Sequence, residues 1–271
     1  MSFSGPNKYP TASAQALKDK PGVRETVIRA TNIANKKRSA AYQQIDSDMW
    51  RNWGRDVKSH VLTNLDRYLE QAEEQLLANG AKVHWAETAH DALGLLEKIV
   101  SDHGIGSAVK AKSMLSEELG VNEHLEELGV HVRETDLGEY IIQLLGDRPS
   151  HIVGPAMHLS LEDCQRLFHE KFGTPLDGRP EILAAAAREA LREEFLAADL
   201  GISGCNFLIA ETGTVALIEN EGNIRLSTSL PRIHVALVGI EKIVPCLEDV
   251  SGLIQLTSRA ATGQPIGNFI S

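Results

Sequence analysis

The sequence predicts an α/β protein with a mainly parallel sheet flanked by helices and followed by a β-meander. Between residues 82 and 172, short apolar segments alternate with segments of helical length, and strands separated by helices pair in parallel. Short apolar segments then follow one another with little helix between them, which predicts the meander. The 271 residues are 42% hydrophobic and 24% charged, a composition typical of a folded protein with a substantial core.

The N-terminal region predicts a basic helical arm. Residues 1–60 carry 11 basic and 5 acidic side chains, whereas residues 61–271 carry 16 and 32. Spaced apolar residues predict a helix from Arg24 to Gln44, with the basic run Lys36-Lys37-Arg38 inside it. The acidic remainder would repel phosphate, so docking on an acidic protein surface is favoured over nucleic-acid binding. We therefore expect an arm at residues 1–56 and an α/β domain at residues 57–271.

The remaining elements follow from periodicity and turn residues. Apolar residues at intervals of three or four predict a helix from Val57 to Leu76, ending before Asn79-Gly80. Strands are then predicted at 82–85, 107–110, 130–133 and 151–153, and helices at 89–101, 116–128, 137–145, 161–172 and 180–198. The predicted meander has strands at 207–209, 215–218, 224–226 and 234–238, and a helix at 247–258 follows it.

Several protein classes lack support in the sequence. Residues 1–10 do not resemble a signal peptide and no apolar run reaches the ~20 residues of a membrane helix, so we expect a cytoplasmic protein without a membrane span. Cys164, Cys205 and Cys246 form no C-x-x-C pair, so we expect no metal site and no disulfide framework. The phosphate-binding, dinucleotide-binding and serine-hydrolase motifs are absent.

Candidate site residues follow the predicted strands, because ligands in open α/β sheets bind beyond the carboxyl ends of the strands. Lys110, Lys112 and Ser113 enter a helix start, where ammonium groups and backbone N–H groups favour an anion; the alternative is a solvated loop with a helix cap. Asp136 and Glu139 could act as bases, although capping the next helix is the commoner role.

Further candidates lie in later loops. His158 follows a Gly-Pro turn and could exchange protons near neutral pH. The Thr212-Gly213-Thr214 turn offers hydroxyls and a close backbone to a carboxylate or phosphate, or is simply a tight turn. The predicted anion-binding set is Lys110, Lys112, Ser113, Thr212, Gly213, Thr214 and Arg232, with His158 and Glu211 as catalytic candidates and Asp136, Glu139 and His234 as supporting residues. We expect these segments to converge on one positively polarised cavity that binds a small organic acid.

Longer motifs carry a family resemblance. They are Lys110-Ala-Lys-Ser-Met114, Glu134-Thr-Asp-Leu-Gly-Glu-Tyr-Ile-Ile-Gln-Leu144, Pro149-Ser-His-Ile-Val153, Pro155-Ala-Met-His158, Asn206-Phe-Leu-Ile-Ala-Glu-Thr-Gly-Thr214, Glu219-Asn-Glu-Gly222 and Pro231-Arg-Ile-His234. Together they resemble the lactate-utilisation protein B (LutB) family and its LUD domain, over essentially the whole chain. The resemblance implies a fold like the NagB/RpiA/CoA-transferase group. It also implies a cytoplasmic electron-transfer role in oxidising L-lactate to pyruvate, as one subunit of a complex with two other lactate-utilisation proteins.

The resemblance also brings one departure and leaves three functions open. Family members are expected to carry a ferredoxin-like module with [4Fe–4S] clusters, whereas this chain ends at Ser271 before such a motif, so we expect no cofactor on this chain and either a short form or a truncation. The first function is the LUD portion of an L-lactate oxidoreductase subunit that binds lactate, pyruvate or a phosphorylated ligand. The others are a non-catalytic scaffold, and a CoA-transferase-like or sugar-phosphate-isomerase-like enzyme that uses Glu211.

Overall fold

Helices and short strands alternate along the chain in the computed structural model, which describes residues 22–147, 149, 154–265 and 269–270, together with Gln15 and Lys18. The N-terminal half contains α1 (Val23–Tyr42), α2 (Ser47–Thr63), α3 (Leu65–Ala78), α4 (Ala89–His103), β1 (Ser107–Lys110), α5 (Met114–Leu119), α6 (Val121–Glu127), β2 (His131–Glu134) and α7 (Leu137–Leu145). The C-terminal half contains α8 (Leu161–Phe172), α9 (Pro180–Ala197), β3 (Leu200–Ser203), β4 (Phe207–Ile209), β5 (Thr214–Ala216), β6 (Ile218–Glu219), α10 (Asn223–Ser229), β7 (Ile233–Ala236), β8 (Ile243–Val244), α11 (Leu247–Thr262) and β9 (Phe269–Ile270).

The main sheet is parallel and has the strand order β2-β1-β3-β7. Adjacent residues of β1 face opposite sides: Ala108 packs in a core with α4 and α6, and Val109 packs in a core with α7, α8 and α9. Helices therefore cover both faces of the sheet, and the carboxyl ends of all four strands meet at one edge.

A second, smaller sheet contains β5, β4 and β8. β4 pairs antiparallel with β5 and parallel with β8. Its core includes Phe207 and Val244, and Trp53 of α2 and Leu253 of α11 pack against them. A further antiparallel pair joins β6 to β9.

Two glycines, one in β3 and one directly after it, allow close packing beside the carboxyl edge of the main sheet. A Cβ atom at Gly201 would lie 1.8 Å from the carbonyl oxygen of Ser227, so only glycine fits where α10 crosses β3. A Cβ atom at Gly204 would lie 2.7 Å from Oγ of Ser113, at the carboxyl ends of β3 and β1.

The structure confirms the α/β class and the parallel sheet with its flanking helices. The strands at 107–110 and 207–209 and the helices at 137–145 and 161–172 have the predicted bounds, and α1 lies where the arm helix was predicted. The predicted boundary after residue 56 falls inside α2. The strand predicted at 151–153 lies outside the described residues. In the part of the chain that the structure describes, no helix has both the length and the apolar character needed to cross a membrane.

Several element predictions are wrong in detail. The helix predicted from residue 57 to 76 is broken at Asn64, and the helix predicted at 116–128 is broken at Gly120, whose φ of +69° is left-handed. Residues 82–85 form no strand. Within the predicted meander, only the first two strands form an antiparallel hairpin.

Residues 224–226 belong to the helix α10, because the carboxylate of Glu219 accepts hydrogen bonds from the N–H groups of Ile224 (2.8 Å) and Arg225 (3.2 Å) and so caps it. The last predicted strand of the meander instead joins the main sheet as β7, parallel to β3.

Candidate functional site

A cavity of ≈ 630 Å³ opens beyond the carboxyl ends of the main sheet. Lys112 follows β1, Asp136 follows β2, Gly204 follows β3 and Leu237 follows β7, and all four line the cavity. Residues 154–157 and the start of α10 form further walls. The cavity therefore occupies the position where open α/β sheets bind their ligands, and its volume is typical of a small-molecule site.

The best-defined polar pair in the cavity joins Lys112 to Asp136. Nζ of Lys112 lies 2.8 Å from Oδ2 of Asp136. Oδ1 of Asp136 accepts hydrogen bonds from the N–H groups of Gly138 (3.1 Å) and Glu139 (3.2 Å), because Asp136 is the N-cap of α7. Capping fixes the carboxylate of Asp136, and this carboxylate in turn positions the ammonium group of Lys112. The Lys112 side chain remains 30% exposed. Asp136 is thus the helix cap that the sequence favours, and its carboxylate also lines the cavity.

The overall charge of the lining is negative. Two ammonium groups, those of Lys112 and Lys242, face five carboxylates. The carboxylates belong to Glu118, Asp136, Glu219, Glu221 and Glu241. The prediction of a positively polarised cavity is therefore wrong. Several of these carboxylates serve the fold; Glu221, for example, accepts a hydrogen bond from the N–H of Leu137 (3.1 Å), and burial beside Asp136 raises its pKa.

Lys110 lies beneath the cavity and is fully buried. Its ammonium group contacts carboxylate oxygens of Glu134 (2.9 Å) and Glu117 (2.8 Å) and donates to the hydroxyl of Ser116 (3.0 Å). Burial alone lowers the pKa of Lys110, but attraction by these carboxylates outweighs it and raises the pKa above its ordinary value. Lys110 therefore has a structural role. The prediction that it contacts a ligand is wrong, because its side chain is enclosed and does not line the cavity.

The buried cluster around Lys110 contains more negative than positive charge. Glu139 is 6% exposed, and its pKa is raised from 4.5 to about 7 by burial and then by repulsion from Glu134 and Glu117. Lys110 acts in the opposite direction but is shared with the other two carboxylates. The cluster thus holds a group that exchanges a proton near neutral pH, directly behind the residue that caps α7.

The threonine turn does not reach the cavity. Asn206 at the start of β4 lines the cavity, whereas the turn follows the other end of this strand. Gly213, at φ +62°, lies against α3, where a Cβ would be 2.6 Å from the backbone nitrogen of Leu76. Asn79 donates to the carbonyl of Thr212 (2.8 Å), and the hydroxyl of Thr212 donates to that of Thr214 (2.8 Å). Glu211 is exposed beside this turn, so the structure brings neither it nor the turn to Lys112.

Three other predicted residues also lie away from the cavity lining. Arg232 precedes β7, at the amino edge of the sheet, and donates to the carbonyl of His103 (2.7 Å). Nε2 of His158 lies 3.4 Å from Oδ2 of Asp147, and Nε2 of His234 lies 2.8 Å from the hydroxyl of Ser203.

Of the predicted site residues, all of which lie in the described ranges, Lys112, Ser113 and Asp136 line the cavity. Ser113 is the N-cap of α5, with Oγ accepting from the N–H of Ser116 (3.3 Å).

The sequence interpretation missed most of the acidic lining. Glu219 and Glu221 appear in the sequence analysis only within a family motif, and Glu118, Glu241 and Lys242 are not among the predicted site residues. Gly222, at φ +76°, is the N-cap of α10, and a glycine here fits a helix start as well as a turn, so no sequence signal identified Glu219 as a capping carboxylate.

The three cysteines are dispersed in the structure. Cys164 packs in the core formed by α7, α8 and α9, Cys205 lines the cavity, and the thiol of Cys246 donates to Asp249 (3.3 Å). Burial raises the pKa of Cys205 to about 12. Within the described residues no three His, Cys, Asp or Glu side chains are grouped as metal ligands, so these thiols do not fit an iron–sulfur cluster.

Comparisons with known proteins identify relatives along most of the chain. The family model of the LUD domain matches residues 69–271. The lactate utilization protein B of Oceanobacillus iheyensis is 42% identical over 254 residues, which are 93% of this chain and 53% of the relative. That of Bacillus pumilus is 38% identical over 267 residues, 95% of this chain and 56% of the relative.

A third relative is the uncharacterized electron transport protein YkgF of Escherichia coli. It is 40% identical over 262 residues, which are 96% of this chain and 55% of the relative. The chain thus spans about half the length of these curated relatives. No solved structure matches it.

Proposed function

The chain belongs to the LUD domain family, and we propose that it acts in lactate utilisation, as the LUD portion of a LutB-like subunit of an L-lactate oxidising complex. Relatives named lactate utilization protein B support this role, at 38% to 43% identity. The name of the Escherichia coli relative supports an association with electron transport. We propose two other lactate-utilisation subunits as partners.

The proposed ligand site is the cavity beside Lys112 and Asp136. The single observation that carries this assignment is their ion pair of 2.8 Å at the carboxyl edge of the sheet. A 2-hydroxy acid offers a carboxylate to the ammonium group and a hydroxyl that donates to the aspartate, so it uses both members of the pair. A phosphorylated ligand carries more negative charge into a lining that has five carboxylates and two ammonium groups. The pair therefore favours a small monoanionic hydroxy acid over a phosphate ester.

Oxidation of lactate to pyruvate removes a proton from the hydroxyl group and a proton with two electrons from C2. In this proposal Lys112 holds the carboxylate and Asp136 orients the hydroxyl. The electrons leave to carriers outside the described residues, because the thiols described above do not form a cluster site. Iron–sulfur clusters elsewhere in the complex are the proposed carriers. We expect the isolated chain to bind the acid without oxidising it.

Calorimetric titration of the purified chain with L-lactate, and in parallel with propionate, tests the site. Lys112→Met is expected to weaken L-lactate binding about 10- to 100-fold, because it removes one charge-assisted hydrogen bond and leaves Asp136 without its ion-pair partner beside the ligand carboxylate. Propionate lacks the hydroxyl and is expected to bind more weakly than L-lactate.

Lys242→Met is the matched control, because Lys242 lines the same cavity as half of an exposed pair with Glu241 (3.2 Å). It is expected to bind L-lactate like the unmodified chain. Absence of L-lactate binding, or equal losses in the two variants, would count against the assignment and favour the scaffold function. Tighter binding of phosphate or CoA than of L-lactate would favour the transferase or isomerase alternative.

A further inference from the structure

The N-terminal helix α1 is largely uncovered. Its residues 31–40 are all exposed, and among its residues only Ala41 is buried. Ile28 and Ile33 are 49% and 52% exposed. Helices in proteins gain most of their stability by packing an apolar face, so a helix of this length is expected to lie against a further surface.

Among the described residues, the hydrogen bonds that join α1 to other elements lie at its C-terminal end. The hydroxyl of Tyr42 donates to the carbonyl of Leu256 (3.2 Å), and Nε of Arg259 donates to the carbonyl of Ala41 (3.2 Å). Lys37 packs closely against Gly263, since a Cβ atom added to Gly263 would lie 2.6 Å from the carbonyl carbon of Lys37. A 20-residue helix is about 30 Å long, so α1 extends well beyond these contacts.

The charge of α1 indicates the surface that it fits. The helix contains five basic residues and one acidic residue. The basic residues are Arg24, Arg29, Lys36, Lys37 and Arg38, and the acidic residue is Glu25. Such a helix complements an acidic surface that also offers apolar contact.

A complementary surface lies on α5 and α6 of the same chain. From residue 113 to 132 there is no lysine or arginine, and Glu118, Glu123, Glu126 and Glu127 are exposed. Leu128, 38% exposed, adjoins them. α6 lies over β2, which is an edge strand of the main sheet, so this surface is at the side of the molecule.

The basic residues 36–38 of α1 and the glutamates of α6 are all exposed, and no hydrogen bond or ion pair joins them within the part of the chain that the structure describes. In a pair of copies, α1 of each copy can contact the α5–α6 surface of the other. These two identical contacts are related by a twofold axis, so the dimer is closed. We propose that the exposed part of α1 docks on the α5–α6 surface of a second copy of this chain, forming a dimer by reciprocal arm exchange. Glu118 also lines the cavity, so the docked arm would bring positive charge to its acidic rim.

Light scattering coupled to size exclusion, at concentrations on the order of 10 μM and at low and high salt, tests the proposal. The full chain is expected to be a dimer that weakens as salt is raised. The arm variant carries Lys36→Glu, Lys37→Glu and Arg38→Glu, and the surface variant carries Glu123→Lys, Glu126→Lys and Glu127→Lys. Each variant alone is expected to be monomeric, because its arm and its docking surface then carry charge of the same sign and repel each other.

Mixing the two variants is the decisive measurement. The acidic arm of one variant then faces the basic surface of the other, and the basic arm faces the acidic surface, so a heterodimer is expected. A chain with Arg188→Glu and Arg192→Glu on α9, both exposed, is the control and is expected to remain dimeric. Circular dichroism checks that each variant folds. A monomeric unmodified chain, a dimer that survives both reversals, or a mixture that stays monomeric would each overturn the proposal.

Discussion

The substitution Glu139→Gln tests the charge imbalance in the buried cluster beneath the cavity. Glu139 is the third residue of α7, a position near the helix N-terminus where a carboxylate is normally favourable. Here burial and the neighbouring Glu134 and Glu117 dominate and raise its pKa to about 7. A glutamine side chain keeps the size and polarity of the protonated glutamate but carries no charge at any pH.

The magnitude follows from the difference between the pKa values in the folded and unfolded chains. A rise from 4.5 to about 7 corresponds to about 3 kcal/mol of folding free energy. Below pH 4.5 Glu139 is protonated in both states and costs nothing. Between 4.5 and 7 the unfolded chain releases the proton while the folded chain keeps it, so stability falls as pH rises. Above pH 7 the full cost is present, and the Glu139→Gln variant avoids it.

Urea denaturation followed by circular dichroism, from about pH 5 to about pH 8, measures this difference. We expect the free energy of unfolding of Glu139→Gln to exceed that of the unmodified chain by an amount that grows with pH, reaches up to about 3 kcal/mol near pH 7 and then levels off. Glu118→Gln, at an exposed glutamate, is the control for the loss of one negative charge. Curves for Glu139→Gln and the unmodified chain that stay parallel across this range would refute the reasoning.

Two further predictions concern stability. Lys110→Met leaves the buried carboxylate of Glu134 without its ion-pair partner and is expected to lower the free energy of unfolding by about 3–5 kcal/mol. A loss below about 1 kcal/mol in urea denaturation would show that Lys110 is not structural. Gly201→Ala places a Cβ 1.8 Å from the carbonyl oxygen of Ser227 and is expected to cost about 3 kcal/mol or more in the same assay. The matched control Gly94→Ala, at an open position within α4, is expected to stabilise by about 0.5–1 kcal/mol, and equal effects at the two glycines would contradict the crossing of α10 over β3.

Local pattern was enough to predict those elements whose ends carry explicit signals. α7 begins at the N-cap Asp136 and ends at the left-handed Gly146, and α8 begins at a capping box on Ser160. β3 was not predicted as a strand although it lies at the centre of the sheet. Its glycine, Gly201, weakens the strand pattern, and the reason for that glycine, the backbone of α10 crossing it, is a contact between distant parts of the chain.

The same distinction explains which site residues could be predicted. The rule that ligands bind beyond the carboxyl ends of parallel strands places Lys112 and Asp136 at the cavity, because each lies two residues beyond the end of a strand of the main sheet. The rule fails for Thr212 and Thr214, since they follow β4, which belongs to the other sheet. Sheet membership depends on long-range pairing that neither apolar alternation nor turn composition encodes.

Lys110 and Lys112 look equivalent in the sequence, yet the end of β1 gives them opposite roles. Lys110 is the last residue of the strand and pairs with Glu134 of β2 in the register of the sheet, so its side chain is drawn into the buried carboxylate cluster. Lys112 lies two residues beyond the strand and meets Asp136 where α7 begins, at the cavity. The first lysine is enclosed among buried carboxylates, whereas the second lines the cavity. Charge count alone could not separate them, because the separation depends on the residue at which the strand ends.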